Sequence, residues 1–192
     1  MAIRQPLPVR EPIERPLTVD DWFSMPDDGN QYELFQGVLV LMTPPARRHQ
    51  DIVGELYAAF RDLVRVTGGC VGFAPLGVAL AEHLGLLPDI AYVTPGRESI
   101  LSDRGIEGAP DIVVEVLSPS TEGFDRNAKL TAYFAAGVAE VWLVDSKRGV
   151  TTVAERSGRR RDAVFGAFIP SAIADVGEGG LTIFLADGST GA

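Results

Sequence analysis

Apolar residues recur every three or four positions in two parts of the chain, which is the spacing of an amphipathic helix. The longer stretch covers residues 49–66 and ends at Gly68 and Gly69, and the second covers residues 126–136 and ends at Gly137. Thr18 begins a short capped helix that ends before Pro26. The pattern therefore predicts one long helix, one helix of about three turns and one short helix.

Short runs rich in β-branched and aromatic residues predict the strands. Two runs flank Gln36-Gly37 and predict a hairpin. The run 112–117 is almost wholly apolar, as expected for a strand covered on both faces. The predicted strands cover residues 32–35, 38–42, 71–73, 78–80, 90–93, 112–117, 140–145, 150–154, 162–165 and 181–185.

The order of these elements predicts the fold class. Strand 112–117, helix 126–136 and strand 140–145 form a crossover unit, whose two strands should be parallel. We predict an α/β (α+β) fold with a mixed central β-sheet flanked by helices. The proline-rich residues 1–16 are predicted to form an extended N-terminal arm, and residues 17–192 a single domain.

Composition narrows the class of protein. The chain has 192 residues, of which 46% are hydrophobic, as in an ordinary globular protein. Its one cysteine excludes an intramolecular disulfide and a cysteine-rich zinc site. No apolar run reaches the ~18 residues that a membrane span requires, and the N-terminus has no signal-peptide core. We therefore expect a cytoplasmic protein that has no contact with membranes.

Charge bears on possible partners. The net charge of −9 argues against binding nucleic acid through a broad basic surface. It is compatible with an acidic site whose charge is changed by a bound divalent cation. One basic cluster stands out, which either contacts a nucleic-acid backbone or is a solvated hairpin tip that discourages aggregation. It comprises Arg156, Arg159, Arg160 and Arg161, with Lys147 and Arg148 nearby.

Two Pro-Asp dipeptides precede apolar strands, and a glutamate lies within the second strand. Asp111 and Glu115 are four residues apart on one strand, about 13 Å, which is too far to share a cation. Asp89 lies on another strand and can reach Glu115 if the two strands are neighbours. We therefore pair Asp89 with Glu115 and assign Asp111 to the strand entrance.

Glu115 is the strongest single candidate because its neighbours on the strand are apolar. Burying an unpaired carboxylate costs several kcal/mol, so a metal, a lysine or protonation must compensate it. Leu117 shares the face of Glu115 and cannot supply the charge, whereas Lys129 in the following helix can. The carbonyl of Val116 is a further candidate ligand for a hard cation.

Two other groups have both a functional and a structural interpretation. His49 at the start of the long helix either orients a water or a phosphate, or bonds locally near the helix N-terminus, and we favour local bonding. His83 lies in a polar turn and is predicted to be exposed. The hydroxyls of Ser118-Pro119-Ser120-Thr121 are read as turn and cap donors, because the chain has no Gly-x-Ser-x-Gly elbow.

The order of these motifs over roughly residues 20–146 resembles the Uma-type restriction endonucleases of the PD-(D/E)XK nuclease superfamily. The resemblance implies a restriction-endonuclease-like fold with Asp89 and Glu115 as metal ligands. It also implies that Lys129 replaces the motif lysine, absent at position 117, and that Glu33 is an extra acidic residue. Its most specific parts are Glu115-Val116-Leu117-Ser118-Pro119-Ser120 and Val141-Trp142-Leu143-Val144-Asp145.

Two functions are compatible with these observations. The first is a homodimeric endonuclease that uses Mg²⁺ or Mn²⁺ to hydrolyse phosphodiester bonds in DNA. The second is a catalytically weak or inactive module on the same fold that binds nucleic acid or protein. A cation bound between Asp89 and Glu115, with the Lys129 ammonium within ~4 Å of it, favours the enzyme, whereas a Lys129 directed to solvent favours the module.

Overall fold

A computed structural model describes residues 15–118, 125–165, 169 and 171–174, without the side chains of residues 125 and 126. Most of the predicted arm, the turn beyond Ser118 and the predicted strand 181–185 lie outside the described residues. The helices are α1 (Val19–Phe23), α2 (Arg47–Thr67) and α3 (Leu130–Ala136), the last preceded by a π-helical turn at Asp125–Lys129. A 3₁₀ turn covers Glu98–Ile100.

The described strands are β1 (Tyr32–Phe35), β2 (Val38–Leu41), β3 (Cys70–Phe73), β4 (Val78–Ala81), β5 (Leu84–Leu86), β6 (Ile90–Val93), β7 (Leu101–Ser102), β8 (Gly105–Glu107), β9 (Ile112–Val116), β10 (Glu140–Asp145), β11 (Val150–Glu155) and β12 (Arg160–Val164). They form two six-stranded sheets. The order is β2-β1-β5-β4-β8-β7 in the first sheet and β12-β11-β10-β9-β6-β3 in the central sheet.

The predicted fold class is confirmed, because the central sheet is mixed and helices pack on it. Strands β9 and β10 are parallel, as the crossover prediction requires, and the other pairs in this sheet are antiparallel. The separate first sheet was not predicted. It combines the predicted hairpin and β4 with strands β5, β7 and β8, which have only two or three residues. Such short strands show no periodicity that a sequence pattern could reveal.

Helices α2 and α3 lie on opposite faces of the central sheet. Residues of α2, among them Leu56 and Phe60, are buried with Val114 on one face. Leu130 and Tyr133 of α3 are buried with Val113 on the other face. Because side chains alternate along a strand, Glu115 shares the face of Val113 and is directed towards α3. Among the described residues, no helix is long and apolar enough to cross a membrane.

Local sequence signals set the start of α1 and the turn between β1 and β2. Thr18 and Asp21 form a reciprocal capping box at α1, as predicted. The Arg15 guanidinium and the Thr18 backbone and hydroxyl groups hold the pKa of the Asp21 carboxyl well below its usual range. Gln36 and Gly37 both have positive φ angles, 52° and 78°, which is the conformation of a tight two-residue hairpin turn.

Candidate active site

A cavity of about 410 Å³ lies at the carboxyl end of β9. Four predicted site residues line it: Asp89, Glu115, Val116 and Lys129. They come from the start of β6, from β9 and from the turn before α3. The fifth, Glu33 on β1, is fully buried and contacts Lys129. The structure therefore brings the whole predicted set to one end of the central sheet.

Strand register places Asp89 beside Glu115. Strands β6 and β9 are antiparallel with Ile90 opposite Val114, so the preceding residue Asp89 faces Glu115. The backbone N–H of Val116 donates to Asp89 Oδ2 at 2.7 Å, which fixes the carboxylate at the mouth of the strand pair. The two strands are thus neighbours, as the pairing of these acids requires.

Lys129 is directed inwards, between two carboxylates. Its Nζ lies 2.8 Å from Glu33 Oε1 and 3.4 Å from Glu115 Oε1, and its side chain is 3% exposed. Tyr133, one helical turn further on, donates its hydroxyl to Glu115 Oε1 at 2.6 Å. The backbone N–H of Leu87 donates to Glu33 Oε1 at 3.0 Å. Lys129 is therefore not directed to solvent, which is the position expected for the module.

Three carboxylates and one lysine meet at the cavity among the described residues. Glu33 and Glu115 both contact the Lys129 ammonium, and Asp89 lines the cavity beside Glu115. Glu33 Oε2 is buried and has no hydrogen-bond partner among the described residues. Carboxylates that are buried together normally require cationic partners.

His49 belongs to the site, although the sequence favoured local bonding. Its Nε2 lies 3.2 Å from Asp89 Oδ2, a contact that joins the first turn of α2 to the start of β6. Both side chains are about 15% exposed, at 14% and 15% respectively, and both line the cavity. Because this contact crosses between elements, the local interpretation of His49 is wrong. His83 is half-buried rather than exposed, with Nδ1 2.7 Å from the Leu17 carbonyl.

Asp111 lies at the other end of β9 and is held by structural contacts. Arg97 forms an ion pair with its carboxylate, and the backbone and hydroxyl of Thr94 donate to Oδ2 at 2.8 and 2.9 Å. These bonds fasten the segment after β6 to the entrance of β9. The assignment of Asp111 to the strand entrance is therefore confirmed.

The predicted basic cluster is divided between two ends of the central sheet. Arg156, Arg159 and Arg160 are exposed at the turn between β11 and β12. Lys147 and Arg148 lie in the turn between β10 and β11, separated from the first group by the six residues of β11, about 20 Å. The prediction of one cluster is wrong because sequence proximity ignores the length of a strand. Only the turn with Lys147 and Arg148 lies at the cavity end.

Arg161 contributes little to the basic surface. Its guanidinium lies 2.6 Å from Glu155 and 3.7 Å from Glu140, and its side chain is only 20% exposed. Those carboxylates satisfy its charge within the fold.

The donor set suits a hard cation held partly by water. Within the described residues, no group of three or more His, Cys, Asp or Glu side chains is arranged to hold a metal ion. The cavity instead presents the carboxylates of Asp89 and Glu115 with adjacent backbone. Magnesium is commonly bound by one or two carboxylates while it keeps several water ligands. These residues therefore suit Mg²⁺ or Mn²⁺, which keep water ligands, better than an ion whose ligands all come from the protein.

The sequence analysis assigned neither Tyr133 nor His49 to the site. Tyr133 is four residues from Lys129, a spacing that places both on one helix face and could have indicated a shared partner. His49 had no such signal, because its contact with Asp89 depends on how α2 is seated on the central sheet.

Comparisons with known proteins agree with this architecture. No curated protein matches the chain. A crystal structure described as a putative nuclease of the DUF820 family, from Anabaena variabilis, superposes with a TM-score of 0.67 at 19% identity, over 81% of this chain and 89% of that one. At this identity the likeness shows the fold. The sequence profile of Uma2, described as "Putative restriction endonuclease", matches residues 19–171. The chain therefore belongs to the Uma2 family of restriction-endonuclease-like proteins.

Proposed function

We propose that this protein is a metal-dependent endonuclease that hydrolyses phosphodiester bonds in DNA. The observation that carries the proposal is the buried Lys129 ammonium between Glu33 and Glu115, at a cavity that Asp89 also lines. Membership of a family described as "Putative restriction endonuclease" supports it. The Anabaena protein, described as "a putative nuclease", supports it through the shared fold.

Asp89, Glu115 and the Val116 carbonyl would hold one Mg²⁺ or Mn²⁺. The N–H of Val116 donates to Asp89, and in an extended strand the carbonyl of a residue points to the same edge as its N–H. The Val116 oxygen is therefore turned towards the cavity edge that Asp89 occupies. All three donors are hard oxygen atoms, which these cations prefer.

When bound, the cation supplies a coordinated water of lowered pKa and a Lewis acid for a phosphate oxygen. The surrounding protein groups orient the carboxylates and stabilise charge on the phosphate. The Lys129 ammonium, oriented by Glu33 and Glu115, offers positive charge to the phosphate in the transition state. Tyr133 orients Glu115, and Val116 and His49 orient Asp89.

A catalytically weak or inactive binding module is the second candidate. The net charge of −9 and the leucine at position 117 favour it. Under either function we propose a cytoplasmic protein. For the enzyme we propose a homodimer, because two sites would allow cleavage of both DNA strands.

Titration of Mn²⁺ by calorimetry separates the two functions. We expect one ion to bind the wild type, and Asp89→Ala and Glu115→Ala each to weaken binding at least about tenfold, since each removes a carboxylate ligand. Asp111→Asn is the matched control, because it changes the same charge at the other end of β9. The same variants are then tested for Mn²⁺-dependent nicking of plasmid DNA. Absence of Mn²⁺ binding by the wild type would favour the module.

A further inference from the structure

The site lies at the bottom of a recess. The side chains of Glu115 and Lys129 are 6% and 3% exposed, and those of Asp89 and His49 are about 15% exposed. The other lining residues include Gln31, Pro44, Pro45, Gln50 and Pro75, all of which are exposed. The exposed lining residues therefore form the mouth of the cavity and the ionisable ones its floor.

The volume of the recess limits what can reach the floor. At about 410 Å³ it is near the lower end of the roughly 300–1,000 Å³ typical of pockets that enclose one small molecule. That is room for about one nucleotide unit and not for a section of duplex. A phosphodiester within a stacked double helix would have to remain outside the mouth, away from the acids.

The mouth suits an unstacked nucleotide. Pro44, Pro45 and Pro75 offer apolar surface to a base that has lost its stacking neighbours. Gln31 and Gln50 carry amides, which can donate to and accept from base edges. Because both amides are neutral, neither repels a negatively charged nucleic-acid strand. A surface that reads duplex DNA would instead be open and strongly basic.

We infer that the site acts on an unpaired nucleotide, so that its substrates are single strands, flaps or bulges in DNA rather than uniform duplex. This inference rests on the proposed nuclease function and adds the substrate class. One strand enters the recess, its phosphate approaches Asp89, Glu115 and Lys129, and the adjacent base lies against the prolines of the mouth.

Binding and cleavage test this inference separately. A fluorescein-labelled single strand of about 20 nucleotides, its perfect duplex, and that duplex with one unpaired nucleotide are titrated with the full-length protein. Ca²⁺ replaces Mn²⁺ during binding, because it prefers the same oxygen ligands. We expect the single strand to bind at least about tenfold more tightly than the perfect duplex, with the bulged duplex between them. Binding of the perfect duplex within about twofold of the single strand would overturn the inference.

Two variants test the mouth itself. Gln31→Glu places a charge at the cavity, whereas Gln36→Glu makes the same change at the exposed hairpin turn, at the other end of β1. We expect Gln31→Glu to weaken single-strand binding about three- to tenfold, as one charge near a phosphate does, and Gln36→Glu to leave it unchanged. Equal effects of the two variants would overturn the inference.

The outcomes also separate the inference from the function on which it rests. Preferential binding of the single strand without Mn²⁺-dependent cleavage would leave the substrate class standing and remove the nuclease. Cleavage of perfect duplex and single strand at equal rates would retain the nuclease and remove the substrate class.

Discussion

Both ends of the central sheet contain buried acids, and the acids at one end line a cavity. At the amino end of β10, Glu140 is 1% exposed and is fully engaged by neutral donors and one guanidinium. These are Ser171 Oγ at 2.7 Å, the Ala172 N–H at 2.8 Å, Trp142 Nε1 at 3.1 Å and Arg161 at 3.7 Å. At the carboxyl end of β9, Glu115 lies beside a cavity and shares one ammonium with Glu33.

The difference teaches that burial of a carboxylate is not by itself a sign of function. Glu140 and Asp111 each have an arginine and several hydrogen bonds, and both fasten loops to the central sheet. Glu115 also has partners, but it lines a cavity of about 410 Å³ together with Asp89 and Lys129. Access to a cavity and a cluster of ionisable groups together distinguish a candidate site from a structural contact.

The largest expected difference between the two ends is in catalysis. Glu115→Gln preserves shape but removes a proposed ligand, and we expect Mn²⁺-dependent cleavage to fall about a thousandfold or more. The melting temperature should change little, because glutamine fills the same space and Glu33 still pairs with the Lys129 ammonium. Glu140→Gln should do the opposite: lower the melting temperature and leave the cleavage rate of folded protein nearly unchanged. Plasmid nicking and thermal denaturation measure the two effects, and equal cleavage loss in both variants would erase the contrast.

Removing the ammonium should produce the largest loss of stability. Lys129→Met leaves Glu33 and Glu115 buried without their cation, and we expect the free energy of unfolding to fall by about 3–5 kcal/mol. Adding Glu33→Gln to this variant should restore part of the stability, because one buried charge is removed. Urea denaturation measures both. A neutral effect of Lys129→Met would show that the cluster does not depend on its ammonium.

A smaller effect is expected from the hydroxyl that orients Glu115. Tyr133→Phe removes the 2.6 Å hydrogen bond and should lower stability by about 1.5–3 kcal/mol, the usual contribution of a hydrogen bond to a charged group. Cleavage should fall about tenfold or less, because the carboxylate itself remains. Tyr32→Phe removes a hydroxyl bonded to Asp28 outside the cluster and provides the control. Indistinguishable stability and cleavage in the two variants would remove the positioning role of Tyr133.

The smallest expected effect is on nucleic-acid binding, and it comes from comparing the two basic turns. Arg48 at the start of α2 donates to the Ser146 carbonyl, so the turn with Lys147 and Arg148 adjoins the helix whose next residues line the cavity. The double substitution Lys147→Ala, Arg148→Ala should weaken binding of a single-stranded oligonucleotide about two- to fivefold and reduce its salt dependence. Arg159→Ala, Arg160→Ala removes the same charge at the opposite turn and should change neither. Fluorescence anisotropy at several salt concentrations measures both, and a larger effect at the distant turn would reverse the assignment of ends.

Much of the site could be predicted because its members lie close in sequence to strong signals. The apolar run of β9 indicated that Glu115 is buried, and this made a partner necessary; Lys129 was the nearest lysine along the chain. The division of the basic residues and the contact of His49 could not be predicted, since they depend on strand length and helix seating. Strands of two or three residues, such as β7, carry no pattern at all.

Glu33 shows the difference between a prediction from the local sequence pattern and one that needs the family resemblance. It is 96 residues from Lys129 in the chain, and its place in the site followed only from the family resemblance. Nothing in the local pattern of β1 indicates that this strand joins a separate sheet and directs its acid at α3. Long-range pairings of this kind are set by tertiary packing rather than by propensity.

The ion pair between Glu33 and Lys129 also joins two layers of the molecule. Glu33 belongs to the first sheet, whereas the ammonium stands over the central one. The hairpin that carries Glu33 therefore helps to set the position of the Lys129 ammonium. Under the proposed function, disruption of that hairpin would misplace positive charge at the phosphate even where the central sheet stays intact.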